Sequence, residues 1–257
     1  MRQLFCDIQV MVQVWSCGGG TQSAAIAALI CEGKLPKPDH ALMVDTEREK
    51  SSTWRYVYGT IQPRLRDACV DLVVIPKSDY ATVDLYAKNG DLLLPVFNGT
   101  TGKLPGYCSN EWKRRVMDRW LRDHGMKAAN AVYWIGYSLG ELQRVRAGKY
   151  RYPLIYEHPM RRTDCRAYLA SQGWELPPAG GSACWMCPNM GNREWAELRD
   201  QDPDDFRKAC DLDEEIRQRD ANAFIHSSGR PLRDVASLLT DERQQTLPGC
   251  DSGLCFV

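Results

Sequence analysis

The stretch that most constrains this chain lies near its start. Ile8 to Ser16 (IQVMVQVWS) is an apolar, β-branched run that reads as a buried strand. It runs into a glycine-rich turn, Ser16-Cys17-Gly18-Gly19-Gly20-Thr21-Gln22-Ser23, and then into a helix of small residues, Ala24 to Cys31. Strand, glycine turn and helix form the unit from which open α/β sheets are built, and such sheets take up phosphate at that turn. Glycines let the backbone approach an anion, and the helix start presents N–H groups that have no intrahelical acceptor. Ser16, Thr21 and Ser23 add hydroxyls. A ligand is therefore expected against Ser16, Gly18, Gly19, Gly20, Thr21, Gln22 and Ser23. The turn lacks the Lys-Ser/Thr ending of a Walker A loop and is not a GxGxxG fingerprint. Taken alone, it also reads as an ordinary tight β-to-α connection.

The alternation continues along the chain. His40 to Asp45 and Asp71 to Pro76 read as strands around a helix from Ser51 to Cys69, capped by Ser51 or Ser52. Ser78 to Pro105 is less regular. Asn110 to His124 is a charged amphipathic helix with Trp112, Val116, Trp120 and Leu121 at helical spacing. Ala131 to Ser138 reads as a fourth strand and Pro153 to Tyr156 as a short fifth. Thr163 to Gln172 is a helix ended by Gly173. Strands alternating with helices imply an α/β, Rossmann-like parallel sheet flanked by helices. The pattern changes near Pro177, which divides the chain into a nucleotide-binding domain, 1–176, and a cysteine-containing helical region, 177–257, packed on it. The 257 residues suffice for this arrangement, and their formal net charge of zero gives no global attraction to nucleic acid or membrane. With no signal peptide read at the start and no apolar run of membrane-spanning length, a cytoplasmic protein without membrane contact is expected.

Eleven cysteines are many for a reducing compartment, and their odd number argues against complete internal pairing. Cys184-Trp185-Met186-Cys187 directs two thiols at one metal or forms a redox pair. A metal site needs further ligands. Cys108, just before the helix that starts near Asn110, is the best third, and Cys165 is a candidate fourth. Thiolates suit zinc and iron–sulfur clusters alike. Cys6, Cys31, Cys69 and Cys210 fall in expected strands or helices and read as small core residues, and Cys17 as the filler of a small position in the turn.

The glycine turn resembles the SGGxxS loop of PP-loop pyrophosphatases and phosphoadenosine phosphosulfate (PAPS) reductases. Asp45-Thr46-Glu47-Arg48-Glu49 resembles that family's Asp-Thr-Gly-x-Glu segment, with Glu47 in place of the glycine. Gly136-Tyr137-Ser138-Leu139-Gly140-Glu141-Leu142-Gln143-Arg144 resembles its Ile-Gly-…-Glu-x-x-Arg segment. Ala223 to Leu232 resembles a late His-x-Ser-x-x-Pro-Leu segment, in which His226 reads as a contact to substrate or cluster or, somewhat better, as a structural residue. The likeness spans roughly Val10 to Leu232. It implies a nucleotide, ATP with Mg²⁺ or PAPS, near Asp45, Glu49 and Glu141, with Arg144 facing the phosphates. The family spacing of Cys108 before Cys184 and Cys187 implies a [4Fe–4S] cluster, with one iron open or closed by Cys165; zinc is the alternative. Cys108 and Arg144 are then the residues nearest the chemistry.

The resemblance implies two chemistries. In one, ATP adenylates an oxygen and a sulfur or nitrogen nucleophile displaces AMP, delivering sulfur from a donor to a nucleic acid or nucleotide. In the other, thiols reduce PAPS or adenylylsulfate to sulfite, but the Glu-Cys-Gly-x-His tail of true PAPS reductases is missing. Cys250 and Cys255 are candidates for analogous thiol chemistry. A zinc-stabilised, non-catalytic nucleotide-binding module is a third reading. For a nucleic-acid partner the basic groups at hand are Lys113, Arg114, Arg115, Arg119 and Arg122 on one helix and Arg161, Arg162 and Arg166 on another. The oligomeric state is left open, a homo-oligomer included.

Overall fold

The computed structural model describes residues 11–178 and 184–236. In chain order its elements are β1 (Val12–Ser16), α1 (Thr21–Cys31), β2 (His40–Asp45), α2 (Ser51–Tyr56), α3 (Gln62–Asp67), β3 (Leu72–Pro76), α4 (Lys77–Tyr80), β4 (Phe97–Asn98) and β5 (Gly102–Lys103). They continue as α5 (Arg115–Asp123), β6 (Ala131–Trp134), β7 (Tyr150–Arg151), α6 (Pro153–Tyr156), α7 (Arg162–Ser171), α8 (Asn192–Gln201), α9 (Pro203–Arg219), β8 (Ala223–Phe224) and α10 (Leu232–Val235).

The main sheet is five-stranded, in the order β3-β2-β1-β6-β7, and every pair in it is parallel. The strands are near-continuous apolar runs, as sheets covered on both faces require. Trp15, Ala41, Met43, Leu72 and Trp134 face α1, α3 and α7. Val14, Leu42, Val44 and Tyr133 face Val116, Met117, Trp120 and Leu121 of α5 or its approach. Ala24 to Ile30 of α1 are buried without a break, so this helix is enclosed rather than amphipathic. From β1 the chain moves outward through β2 to β3, then returns to the other side of β1 for β6. The connections leaving β1 and β6 therefore diverge, and a crevice opens at the carboxyl ends of these two strands.

A second core lies beside the sheet. Leu85, Leu93, Leu94, Val96 and Trp112 pack there with Met186, Met190, Trp195, Phe206, Ala209 and Ile216. A three-stranded sheet, β5-β4-β8, pairs Phe97 with both Lys103 and Phe224. The helices after residue 184 thus share one core with the irregular segment before α5. Asp205 and Asp202 tie this unit to the sheet domain. They accept the N–H groups of Ser51 (2.6 Å) and Ser52 (3.2 Å) at the start of α2.

Local departures from the sequence expectation have local causes. Pro153 to Tyr156 is a helical turn and the fifth strand is Tyr150–Arg151. Pro153 has no N–H for a ladder, and its fixed φ suits the first turn of a helix. Two helices widen into π turns, Val57–Ile61 after α2 and Asn110–Arg114 before α5. No helix among the described residues is long and apolar enough to cross a membrane.

Candidate functional site

The turn after β1 is held from several sides. The Cys17 N–H donates to Leu42 O (2.8 Å) and the Gly18 N–H to Ser23 Oγ (2.9 Å). Gly19 has φ +71, and a Cβ there would lie 2.8 Å from Thr53 Cγ2 and 2.9 Å from Val57 Cγ2. The π turn at Val57 thus seals the outside of the glycine turn. Gly20 caps α1 without a side-chain bond, so the first N–H groups of the helix have no protein cap of that kind. Thr21 Oγ1 is buried with no hydrogen-bond partner. Burial pushes the Cys17 thiol up to about 11, against weaker opposing effects of Gly19, Ser23 and Lys113, so this cysteine is a neutral filler.

Across the crevice, Glu141 joins the turn to the β6 exit. Its Oε2 accepts Gln22 Nε2 (3.1 Å) and the Ser138 N–H (3.1 Å), and its Oε1 accepts Arg144 Nη1 (2.6 Å). The Arg144 guanidinium lies 4.2 Å from the Tyr137 ring centroid. Glu141 and Arg144 are therefore an ion pair, and the pair stands at the switch point rather than on an outer face.

The segment after β2 answers the question raised by Glu47. This residue has φ +63, in the left-handed region that glycine favours, and its N–H donates to Asp45 Oδ1 (2.7 Å). The glycine's backbone conformation is kept without the glycine. Lys77 Nζ reaches Glu47 Oε2 (3.2 Å) and Asp84 Oδ1 (2.6 Å), and Arg48 grips the same Asp84 with two bonds of 2.8 and 2.9 Å. Asp45 stays at the sheet edge, but Glu49 turns into the protein. Its Oε1 accepts Lys113 Nζ (2.9 Å) and Thr46 Oγ1 (3.3 Å), while its buried Oε2 has no partner. A nucleotide contact by Glu49 is not what this orientation offers.

Glu49 faces the cysteine turn instead. Its backbone forms an antiparallel bridge with Cys184, and the Trp185 N–H donates to Arg48 O (2.9 Å). Cys184 Sγ lies 3.7 Å from Thr46 Oγ1 and 3.8 Å from Glu49 Oε1. Burial and the Glu49 carboxylate push the Cys184 thiol up to about 12 despite Lys113. Cys108, Cys184 and Cys187 all pack against the second core. Burial alone would lower the Lys113 pKa, but Glu49, Cys184 and Cys108 outweigh it and hold the ammonium charged. Lys113, which the sequence presents only as one cation in a basic helix, is thus drawn to Glu49 beside the cysteine turn.

The described cysteines carry no disulfide. Cys165 does not join Cys108, Cys184 and Cys187. It is fully buried in the core between α1 and α7, where burial pushes its thiol up to about 12. Among the described residues, no three His, Cys, Asp or Glu side chains close around a single ion. One zinc ion requires sulfurs about 3.8 Å apart, the edge of a tetrahedron with bonds of about 2.3 Å. A cluster bound through a different iron by each thiolate spreads its ligands further. Three thiols against one core, beside an orphaned buried carboxylate oxygen and the Lys113 ammonium, form a donor set that zinc and an iron–sulfur cluster can both use.

Several other expectations are corrected. Cys69 is exposed at φ +56 in the turn after α3 and is not a core residue, whereas Cys210 is buried. In the helix read as a basic patch, four of the five cations named have partners within the chain. Lys113 goes to Glu49, Arg114 to Asp118, Arg115 to Glu111 and Arg119 to the Tyr80 carbonyl. His226 is buried between Ser228 Oγ (2.8 Å) and Asn192 Oδ1 (3.1 Å), and burial lowers its pKa, as a structural histidine requires. Cys6, Cys250 and Cys255 lie outside the described residues.

The strand order and the position of the glycine turn define an open, parallel α/β fold with a glycine turn at its switch point. No family model matches the chain, and no curated protein matches it in sequence. Among solved structures it is similar to the U34-tRNA thiolase NcsA from Methanococcus maripaludis with its [4Fe-4S] cluster. The identity is 12%, the TM-score is 0.43, and the match covers 89% of this chain and 72% of that chain. A likeness of that degree carries no argument about activity.

Proposed function

We propose that this chain is a PP-loop enzyme that binds ATP in the crevice between β1 and β6 and an iron–sulfur cluster on Cys108, Cys184 and Cys187. In this reading it uses ATP to activate an oxygen of a nucleic acid or nucleotide for sulfur transfer. The observation that carries the reading is the position of Glu49, which follows the strand bonded to the glycine turn through Cys17 and Leu42 (2.8 Å), bridges Cys184 by its backbone and pairs with Lys113 (2.9 Å). An anion site and a thiol site joined through one short segment are suited to a single reaction.

The chain's own groups have definite tasks here. The amides that open α1 orient the phosphates and meet the charge that grows on the leaving pyrophosphate. Arg144, aligned by Glu141, adds a cation on the other wall. Asp45 stands at the strand end where a ribose hydroxyl or Mg²⁺ is held. When bound, the cluster supplies sulfur to the activated substrate. The alternative, thiol-dependent sulfite formation, is less well supported. The Glu-Cys-Gly-x-His tail that carries its nucleophile is missing from the sequence.

The test is anaerobic purification with metal analysis, followed by assays of pyrophosphate release from ATP and sulfite release from PAPS. A brown, iron-containing protein that releases pyrophosphate supports the proposal. Cys184→Ala and Cys187→Ala should lose the colour, and Cys165→Ala and Cys210→Ala should keep it. A colourless zinc protein, or sulfite release without pyrophosphate release, contradicts the proposal.

A further inference from the structure

We propose that Glu49 Oε2 is the fourth ligand of the metal cluster held by Cys108, Cys184 and Cys187, so that the resting cluster has three thiolates and one carboxylate. This rests on the cluster reading above and adds to it a residue that the sequence assigns to the nucleotide.

Glu49 is only 5% exposed. A buried carboxylate in a folded protein normally has both oxygens bonded, because an unpaired one forfeits its hydration without return. Here Oε1 accepts Thr46, Lys113 and, at 3.8 Å, the Cys184 thiol, while Oε2 has no partner among the described residues. Those contacts fix the carboxylate plane and leave Oε2 to something other than the described protein groups, the arrangement in which outer partners orient a ligating carboxylate. The backbone bridge between Glu49 and Cys184, with the Trp185 N–H on Arg48 O, sets the Glu49 backbone opposite the cysteine turn, and its Oε1 lies 3.8 Å from Cys184 Sγ.

The competing fourth ligand, Cys165, belongs to a different core. Three thiolates and a carboxylate are strongly anionic, and the Lys113 ammonium offsets part of that charge. Oxygen is a poorer donor than sulfur to a soft centre, so this ligand is the one a sulfide or substrate atom can displace.

The test uses the full chain, made by cell-free synthesis with ¹³C-carboxylate glutamate and unlabelled aspartate, with transaminases inhibited, and reconstituted anaerobically with iron and sulfide. Pulsed electron paramagnetic resonance of the reduced cluster should show a ¹³C coupling in the wild type. Glu49→Asp, which places an unlabelled carboxylate there, should lose it. Glu49→Gln should still take up iron on its cysteines but release it to a chelator about tenfold faster, the scale on which a lost ligand-shell contact acts. A wild-type cluster without ¹³C coupling overturns the assignment whatever the variants do, and leaves the cluster reading standing. So does a Glu49→Asp protein that keeps the coupling. Failure of the wild type to bind iron on its cysteines removes the cluster reading and this ligand with it.

Discussion

Gly19 combines a left-handed backbone with contacts from Thr53 and Val57 that leave no room for a methyl group. Gly19→Ala therefore meets both strain and overpacking, and should cost about 1–3 kcal/mol in a denaturant titration. If the turn holds ATP, the same variant should weaken ATP binding by more than its loss of stability explains. Asp84 offers a second test at this scale. Burial would raise its carboxyl, but Arg48 and Lys77 outweigh that and hold it below its ordinary 3.8, at about 2. A folded pKa below the unfolded one gives stability that is present above pH 3.8 and lost as the pH falls toward 2. Asp84→Asn should flatten that acid limb in thermal melts at stepped pH, and an unchanged limb would count against the network. Single residues were legible where the signal was local. The glycine turn and the Glu141–Arg144 pair three residues apart are of this kind. The Glu49–Lys113 pair spans sixty-four positions, and no local spacing announces it.

At the scale of elements, strands were read well because burial on both faces leaves an unbroken apolar run, and His40–Asp45 came out with its bounds intact. Pro153 to Tyr156 misled because four apolar residues cannot by themselves separate a strand edge from a helical turn. The junction between the two cores was not legible at all. It depends on Asp202 and Asp205, at the start of α9, accepting the first N–H groups of α2. Asp202→Ala removes the bonds to Ser52 and Arg55 and should cost about 0.5–2 kcal/mol, the range for a lost helix cap. Because α2 runs into the π turn that seals Gly19, hydrogen exchange should quicken along 51–61 in this variant. Exchange that changes only within α9 would show that the clamp is local.

For the whole molecule, the parallel sheet puts the glycine turn at the carboxyl edge, and the second core brings the cysteine turn to Glu49, just past the end of β2. Neither half specifies sulfur chemistry alone. A glycine turn at a switch point serves many nucleotide enzymes, and a C-x2-C turn serves many metals. Their nearness at one end of the sheet, through Glu49, is what favours a joint reaction, and the account depends first on a nucleotide lying in the turn. Amide NMR of the full chain titrated with ATP and Mg²⁺ tests this most directly. The account predicts that the amides of Gly19, Gly20, Thr21 and Gln22 shift and become protected from exchange at saturating nucleotide. Saturating ATP that leaves those four amides unchanged would contradict it.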